Sequence, residues 1–330
     1  EVGAGSIHVK CDDVTGRAYG GNKVRKLAFL LGRAKALGVR STVTFGAAGS
    51  NHALATAIYA TQMGFQPHSM LVPQLNAHSV QRNLLRGWTT GATLKPCMSR
   101  EDVRRATLSA IYAARRAGEP TPYIIPAGGS SPLGTVGFVY GGFELEEQIR
   151  AGLLPVPDTV YVASGTMGTA VGLLLGLQLA GLDTTVTAVR VTSPPFTSRE
   201  RARQLYYRTL GLLRKADPSI PALEFPEHQF ILRDGYLGER YGLYTPEGVA
   251  AVTLAREKAD LLLEGTYTGK AMACLVGDGQ LGRLSGRPVV FWNTYNSVSQ
   301  AEHIENVDYH QLSAPFHRYY EEAVQELDRL

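Results

Sequence analysis

One lysine of the sequence lies between two glycines and the start of a predicted helix. It is Lys23, in the stretch of residues 20–27 that begins Gly20-Gly21. The glycines let the backbone approach a bound molecule closely, and a lysine amine there can react with a carbonyl group. The arrangement is suited to holding an aldehyde cofactor as a Schiff base. The alternative is a solvated basic turn, because Lys-x-Arg-Lys is ordinary at a helix start.

Two glycine-containing turns follow predicted strands and open predicted helices, at residues 46–52 and 165–169. Free backbone N–H groups and the helix dipole favour an anion at such a start, and the second turn suits a phosphate. At the first turn the alternative is an N-cap by Ser50 or Asn51, with His52 only a member of the first helical turn.

The spacing of the second turn also raises a rival hypothesis, a dinucleotide site. That site requires an acidic residue for the ribose about 20 residues further on, at the end of the next strand. Arg190 lies there instead. Among dinucleotides, therefore, only one with an additional phosphate on the ribose remains compatible with the sequence.

Two further turns, residues 264–271 and 293–296, are rich in hydroxyl groups, although each alone equally suits a surface turn with a capping hydroxyl. In open parallel sheets ligands bind outside the carboxyl ends of strands, and at least three of the four turns are predicted to lie there. A lysine, a phosphate cradle, an anion site and a hydroxyl-rich turn are the parts that pyridoxal 5'-phosphate requires. That cofactor needs a covalent lysine, a phosphate anchor and a partner for its ring nitrogen.

The composition is that of a folded globular protein. The chain has 330 residues, 44% hydrophobic and 19% charged, which is enough for two domains or one large one. The net charge of +4 is small, and the basic residues are spread without aromatic interleaving, which argues against nucleic-acid binding. No apolar run is long enough to span a bilayer, and no signal-peptide pattern opens the sequence. We therefore expect a soluble protein that does not bind membranes.

The cysteines bear on the compartment. Cys11, Cys97 and Cys274 are odd in number and far apart, without metal-ligand spacing. Such cysteines are typical of unpaired thiols in a reducing compartment. We expect a cytoplasmic protein with no bound metal.

Strand and helix patterns alternate along the whole chain, with no internal repeat and no linker. The predicted strands are 6–10, 41–45, 68–72, 159–163, 185–191 and 289–292. The predicted helices are 25–37, 52–63, 79–86, 100–117, 199–213, 246–258 and 271–276, together with an apolar helix that follows the turn at 164–169 and ends at residue 180. Alternation of this kind predicts parallel sheets covered by helices on both faces.

At these residues the chain resembles the fold-type II pyridoxal-phosphate enzymes related to D-cysteine desulfhydrase and 1-aminocyclopropane-1-carboxylate deaminase. The matching segments appear in family order over nearly the whole chain. They are residues 9–13, 20–27, 49–52, 125–134, 165–172, 241–242 and 267–271. The resemblance implies a tryptophan synthase β-like fold with two open, twisted, mostly parallel sheets, and a homodimer. We expect a large cofactor domain formed by residues 1–27 and 136–330, and a small domain formed by residues 28–135.

The resemblance also implies roles for individual residues. Lys23 would carry the cofactor and move the α-proton of a small amino-acid substrate. Asn51 would bind the phenolic oxygen of the cofactor and contact the substrate, and Ser50 and His52 would receive the substrate carboxylate.

The remaining assignments concern the phosphate and the substrate. The phosphate is expected on the turn formed by Gly165, Thr166, Met167, Gly168 and Thr169. Tyr241 and Tyr267 would flank the substrate, and Thr294 would lie beside the cofactor.

Position 268 bears on the reaction. In this family the residue after the second tyrosine faces the pyridine nitrogen, and it is glutamate in the deaminases and threonine in the desulfhydrases. Thr268 cannot hold that nitrogen protonated as a carboxylate does, so the cofactor is a weaker electron sink. Cyclopropane deamination needs the stronger sink, so the sequence favours α,β-elimination of D-cysteine to pyruvate, ammonia and sulfide.

The chain departs from the family near the expected site. Family members usually carry arginine at Cys11, glycine at Met167, proline at Gly265, and His-Thr-Gly-Gly at residues 293–296. Tyr295 would add bulk beside the cofactor ring and reshape the pocket. The alternatives are therefore a deaminase, a specialised lyase or replacement enzyme for a larger sulfur-bearing amino acid, and a cofactor-binding protein with little turnover.

Overall fold

A computed structural model of the chain describes residues 3–284 and 286–328, which form two sheets surrounded by helices. The strands are β1 (Ser6–Cys11), β2 (Ser41–Ala47), β3 (Gln66–Val72), β4 (Thr93–Pro96), β5 (Tyr123–Ile125), β6 (Thr159–Ser164), β7 (Thr185–Arg190), β8 (Phe230–Arg233) and β9 (Pro288–Asn293). The helices are α1 (Lys23–Ala36), α2 (Asn51–Gln62), α3 (His78–Thr89), α4 (Arg100–Arg116), α5 (Pro132–Arg150), α6 (Gly168–Leu179), α7 (Arg199–Ala216), α8 (Pro246–Ala259), α9 (Thr268–Gln280) and α10 (Arg318–Glu321).

The larger sheet has the strand order β1-β9-β6-β7-β8, and its described strand pairs are parallel. Alternate residues of a strand point to opposite faces. Val160 and Val162 of β6 pack in one core with α5, α6 and α7, while Tyr161 and Ala163 pack in another with α8 and α9. Because helices cover both faces, all of β6 is buried, as is typical of parallel sheets.

The smaller sheet has the strand order β4-β3-β2-β5 and is also parallel. Val43 and Met70 pack against α4, while Ile125 packs with α1 and α2. The four strands of this sheet lie between residues 41 and 125, inside the segment predicted for the small domain. The exact domain bounds stay a prediction.

Glycines bring α5 into close contact with both α1 and α6. A Cβ atom added at Gly137 would lie 2.2 Å from the carbonyl oxygen of Arg25, and one added at Gly142 would lie 2.7 Å from backbone carbon of Gly176. Real Cβ atoms do not approach backbone this closely, so only glycine fits at both positions. Helix α5 thus packs directly against the backbone of α1 and α6.

The structure confirms the predicted architecture of parallel sheets with helices around them. Five of these elements were missed: the short strands β4, β5 and β8, and the helices α5 and α10. Helix α9 begins at Thr268, so its predicted start at Ala271 was wrong by three residues. Within the described part of the chain, no helix is both long enough and apolar enough to cross a membrane.

Candidate active site

A cavity of about 420 Å³ is lined by residues from both sheets and contains the predicted site. Every residue assigned to the site from the sequence lines it. These residues are Lys23, Ser50, Asn51, His52, Gly165, Thr166, Met167, Gly168, Thr169, Tyr241, Tyr267, Thr268, Thr294 and Tyr295. The structure therefore brings the four turns together at the carboxyl ends of β2, β6 and β9, while the role of each residue stays a prediction.

Lys23 is the first residue of α1 and enters the cavity from a glycine turn. Gly20 has no room for a side chain, because a Cβ atom there would lie 1.8 Å from the carbonyl oxygen of Asp13. The Nζ atom of Lys23 donates to Oδ1 of Asn22 at 2.9 Å. Burial lowers the pKa of the Lys23 amine to about 8, against an opposing effect of Glu264. The amine is therefore partly neutral near physiological pH.

The turn predicted to bind the phosphate, residues 165–169, leads from β6 into α6, and two residues that the sequence did not assign lie beside it. Lys26 is buried one helical turn after Lys23, and its Nζ donates to the carbonyl of Gly128 at 3.1 Å and to Oγ of Ser130 at 3.2 Å. The backbone N–H of Gly168 donates to the same Oγ at 3.2 Å. Burial, with a contribution from the charge of Lys23, lowers the pKa of Lys26 well below its usual value.

Within this turn Met167 has a left-handed backbone, with φ of 67°. This conformation favours glycine, which is the residue usual in the family, and costs other residues energy. The Met167 side chain is nevertheless buried, and its Sδ accepts a hydrogen bond from Oγ of Ser164 at 3.4 Å. The strain is thus opposed by packing of the side chain.

The turn after β2 caps a helix and also lines the cavity, so it is compatible with both alternatives from the sequence, an N-cap and an anion site. Ser50 is the N-cap of α2, since its Oγ accepts the N–H of Ala53 at 3.2 Å, and it also lines the cavity. The Oδ1 atom of Asn51 accepts hydrogen bonds from Asn83 at 2.8 Å and Tyr19 at 3.3 Å.

His52 lies deeper than its neighbours in the same turn. Its Nε2 lies 3.0 Å from Oγ1 of Thr44, and its buried Nδ1 has no partner among the described residues. Burial, followed by the charges of Lys23 and Lys26, lowers the pKa of His52 well below its usual value. The imidazole is therefore neutral, and it can contact a carboxylate through a hydrogen bond but not as a cation.

Tyr241 and Tyr267 face each other across the cavity wall. Their hydroxyl groups share a hydrogen bond, and their ring centroids lie 6.2 Å apart. Burial raises the pKa of both phenols, that of Tyr267 well above its usual value. Both hydroxyls therefore remain protonated and can donate hydrogen bonds.

A buried carboxylate, Glu264, orders the turn that carries Thr268. The Glu264 oxygens accept the backbone N–H groups of Thr266 at 2.8 Å, Tyr267 at 2.7 Å and Thr268 at 2.9 Å. These bonds satisfy donors at the start of α9 and place the negative charge where the helix dipole favours it. The sequence interpretation missed Glu264 because an acidic residue before a helix is an ordinary cap.

The 293–296 turn is fastened to the glycine turn that precedes Lys23. The N–H of Asn22 donates to the carbonyl of Thr294 at 3.3 Å, and the N–H of Gly20 donates to Oδ1 of Asn296 at 2.6 Å. A Cβ atom at Gly21 would lie 2.7 Å from the carbonyl oxygen of Tyr295. Tyr295 is therefore held against the turn that carries the predicted catalytic lysine.

Two further basic residues, Arg190 and Lys270, have local partners. Arg190, the residue that kept a dinucleotide hypothesis open, pairs with Asp234 at 2.7 Å. Lys270 is buried outside the cavity, where its Nζ donates to the carbonyls of Leu237 at 2.7 Å and Leu243 at 2.6 Å. Its amine is thus committed to the loop that contains Tyr241.

Known proteins that are similar to this chain agree with the geometry of the site. The family described as pyridoxal-phosphate dependent enzymes matches residues 1–294, and the chain belongs to this family. Nocardicin C-9' epimerase of Nocardia uniformis subsp. tsuyamanensis is 36% identical over 90% of this chain and 88% of its own length. D-cysteine desulfhydrase of Serratia proteamaculans (strain 568) is 32% identical over 87% of this chain and 86% of its own.

A solved structure supports the finer grouping. The crystal structure of an ACC deaminase homologue, 28% identical, covers 89% of this chain and 85% of its own with a TM-score of 0.74. These relatives confirm the resemblance to fold-type II enzymes of the D-cysteine desulfhydrase and 1-aminocyclopropane-1-carboxylate deaminase group. The cofactor is therefore pyridoxal 5'-phosphate.

The cavity residues fit this cofactor. A Cβ atom at Gly168 would lie 2.5 Å from Oγ of Ser130 and 3.0 Å from Nζ of Lys26, so only glycine leaves the start of α6 open to a phosphate. The amine of Lys26 and the backbone N–H groups of that start offer donors to an anion. Lys23, the amine predicted to bind the aldehyde, and Thr268, the residue predicted to face the ring nitrogen, line the same cavity.

Proposed function

We propose that the protein catalyses α,β-elimination on a small amino acid, D-cysteine, and releases pyruvate, ammonia and sulfide. The observation that carries the proposal is that residue 268, which is expected to face the ring nitrogen, is a threonine that lines the cavity; its Oγ1 accepts the N–H of Glu264 at 2.9 Å. The nearby carboxylate of Glu264 is committed to the N–H groups at the start of α9. A cofactor without a carboxylate partner is a weaker electron sink, which suffices for expulsion of a thiol but disfavours opening of a cyclopropane.

Lys23 is proposed as the base that removes the α-hydrogen. When bound, pyridoxal phosphate withdraws electrons from the α-carbon of the amino acid. An amine with a pKa of about 8 is close to the operating pH, where a general base works best. Lys26 does not suit this role, because its amine donates to Gly128 and Ser130 at the phosphate turn.

The tyrosine pair is proposed to contact the substrate side chain. Since burial keeps both phenols protonated, the shared hydrogen bond leaves one hydroxyl proton free to point elsewhere. That proton can stabilise the negative sulfur as the bond between the β-carbon and sulfur breaks. Tyr241 and Tyr267 thus orient the leaving group, while Lys23 acts at the α-carbon.

The start of α2 is proposed to hold the substrate carboxylate. Its free N–H groups and the Ser50 hydroxyl line the cavity, and a helix start favours an anion. His52 lines the same cavity, and its ring carries no positive charge because burial lowers its pKa. A carboxylate fixed here would orient the α-hydrogen relative to Lys23.

Epimerisation at the α-carbon is a second candidate, because a relative that is 36% identical over 90% of the chain is named as an epimerase. Epimerisation begins with the same α-hydrogen removal but returns a proton to the opposite face. Elimination additionally needs a leaving group on the β-carbon. The two reactions therefore separate on a substrate such as D-alanine, which lacks a leaving group.

One set of assays distinguishes these functions. Purified holoenzyme is given D-cysteine, L-cysteine, 1-aminocyclopropane-1-carboxylate and D-alanine, the last in heavy water. The proposal predicts sulfide, pyruvate and ammonia from D-cysteine, and α-deuterium in D-alanine with retained chirality. Release of 2-oxobutanoate from the cyclopropane without sulfide from either cysteine would contradict it, and conversion of D-alanine to L-alanine without elimination would establish the epimerase.

We also propose a homodimer in a reducing compartment such as the cytoplasm. The three cysteines, which are free thiols in the structure, support the compartment. Light scattering on the purified holoenzyme measures the assembly, and a mass of one chain at micromolar concentration would contradict the dimer.

A further inference from the structure

A second and larger cavity, of about 1050 Å³, adjoins the cofactor cavity. The two share Asn51, Glu264, Tyr267 and Tyr295 as lining residues, so the Tyr295 side of the cofactor cavity is also a wall of the second one. One face of α3 and the stretches 261–267 and 295–302 form the other walls. D-cysteine has one heavy atom beyond its β-carbon and needs none of this space.

Two arginines on one face of α3 line the second cavity. Arg82 and Arg86 are four residues apart, so their side chains are neighbours on the helix surface. In the described part of the chain neither forms an ion pair with a carboxylate: Arg86 donates to Oε1 of Gln300 at 2.7 Å and to Oγ1 of Thr89 at 3.1 Å. Two like charges at this spacing repel each other, and an anion bound between them would reverse that effect.

Arg82 also connects the second cavity to the first. Its guanidinium lies beside Tyr295, and its charge opposes the rise in the pKa of that phenol. Burial lowers the pKa of Arg86, as expected for a cation that has only neutral partners. The charge of Arg82 therefore lies next to the shared wall, within reach of a side chain that passes Tyr295, and Arg86 lies one helical turn further along α3.

The acidic residues that line the second cavity are either exposed or bonded to residues other than the two arginines. Glu257, Glu302 and Glu305 are exposed, where water and salt screen their charge. Asp328 pairs with the ring of His78 at 3.1 Å, and Glu264 caps α9. Arg86, which is half-buried, therefore has no charged partner among the described residues, and Arg82 beside it on α3 is exposed.

We propose that the second cavity is a subsite for the side chain of an extended amino-acid substrate, and that Arg82 and Arg86 bind a carboxylate at the end of that side chain. The substrate class is an amino acid with a thioether at the β-carbon and an acidic group several atoms beyond it. Elimination from such a molecule breaks the α-carbon–hydrogen and β-carbon–sulfur bonds. With one water it yields pyruvate, ammonia and the acidic thiol. The inference rests on the proposed function only in taking the bound α-amino acid as given.

Binding of a pair of ligands that cannot undergo elimination tests the subsite. The holoenzyme is titrated calorimetrically with D-2-aminopimelate and with its ω-amide, which differ only in the distal charge and carry no β leaving group. The subsite predicts that the acid binds about tenfold tighter than the amide, as for one charge-assisted hydrogen-bonded contact. The ratio should fall with rising salt concentration.

Substitutions of Arg82 and Arg86 test whether these two residues bind the distal carboxylate. Arg82→Gln and Arg86→Gln should each bring the ratio of the two dissociation constants close to one, and Arg82→Lys should keep part of it. Arg256→Gln is the matched control, because Arg256 lines the same cavity but already pairs with Asp260 at 2.9 Å. It should leave the ratio unchanged. Arg82 is exposed, so its variant should fold even if the Arg86 variant does not.

Two results would overturn the inference: equal binding of acid and amide by the wild type, or an Arg82→Gln protein with the wild-type ratio. The proposed function is tested separately by pyruvate from D-cysteine. A wild type with a tenfold ratio but no pyruvate would refute the elimination and retain the subsite. A wild type that forms pyruvate from D-cysteine but binds the acid and the amide equally would refute the subsite and retain the elimination.

Discussion

The side-chain amide of Asn22 donates from Nδ2 to Oγ1 of Thr169 at 3.0 Å and accepts the amine of Lys23 on its Oδ1 at 2.9 Å. A single residue thereby joins the predicted catalytic lysine to the start of α6, where the phosphate is expected. The two ends of the cofactor site are 146 residues apart in the sequence, from Lys23 to Thr169, yet they share one side chain.

Asn22→Ala should weaken cofactor retention by about tenfold, since a buried side chain with two hydrogen bonds is removed and the lysine amine loses its described acceptor. The measurement is the dissociation constant of the cofactor, taken from the loss of visible absorbance on dilution. Asn306→Ala, at an exposed position, is the control and should match the wild type. Unchanged retention in the Asn22 variant would mean that the link does not support the site.

The rate at which apoenzyme takes up pyridoxal phosphate should depend on the protonation of Lys23. Only the neutral amine attacks the aldehyde, and burial lowers its pKa to about 8. The rate should rise about tenfold per pH unit below pH 8 and level off above it. Stopped-flow absorbance measures this profile. A rate still rising at pH 10 would indicate a lysine of ordinary pKa and contradict the burial argument.

Lys270→Met should lower elimination while leaving the cofactor bound. The buried amine donates to the carbonyls of Leu237 and Leu243, which flank Tyr241, and it lies outside the cofactor cavity. Loss of these bonds should reduce stability by about 2–4 kcal/mol and loosen the loop. Urea denaturation and kcat/KM for D-cysteine measure both effects, with the exposed Lys258→Met as control. Wild-type kcat/KM would exclude a positioning role for Lys270.

Tyr295→Gly should widen the range of substrates with little loss of cofactor. The side chain lines both cavities and lies beside Arg82, so it occupies space between them and is not committed to the cofactor alone. Activity is compared on D-cysteine and on bulkier S-alkyl derivatives, with Tyr295→Phe as a control that removes only the hydroxyl. If the glycine variant instead releases the cofactor, the ring of Tyr295 stacks on it.

Most of the site could be predicted from the sequence because it consists of local motifs. The turns at 46–52 and 165–169 each join a strand to a helix, and parallel strands bring such turns to one edge of a sheet. Thr268 and Tyr267 were placed by the resemblance. The structure then shows that these separate motifs line one cavity.

The missed features depend on contacts between distant residues. Helix α5 contains glycines at positions 134, 137, 141 and 142, which lower helix propensity, and its stability comes from close packing against α1 and α6. The partnership of Lys26 with Ser130 joins residues 104 positions apart. The second cavity, beside Tyr295, is likewise formed by segments that are far apart in the sequence and share no local motif.

The most direct test of the central claim identifies the lysine that carries the cofactor. Holoenzyme is treated with borohydride, which reduces a lysine–cofactor Schiff base to a stable bond, and is then digested and analysed by mass spectrometry. The structure predicts the added mass on the peptide that contains Lys23, at that residue. Modification of Lys26 or Lys270 in its place would contradict the assignment of Lys23, and with it the site on which the proposed reaction depends.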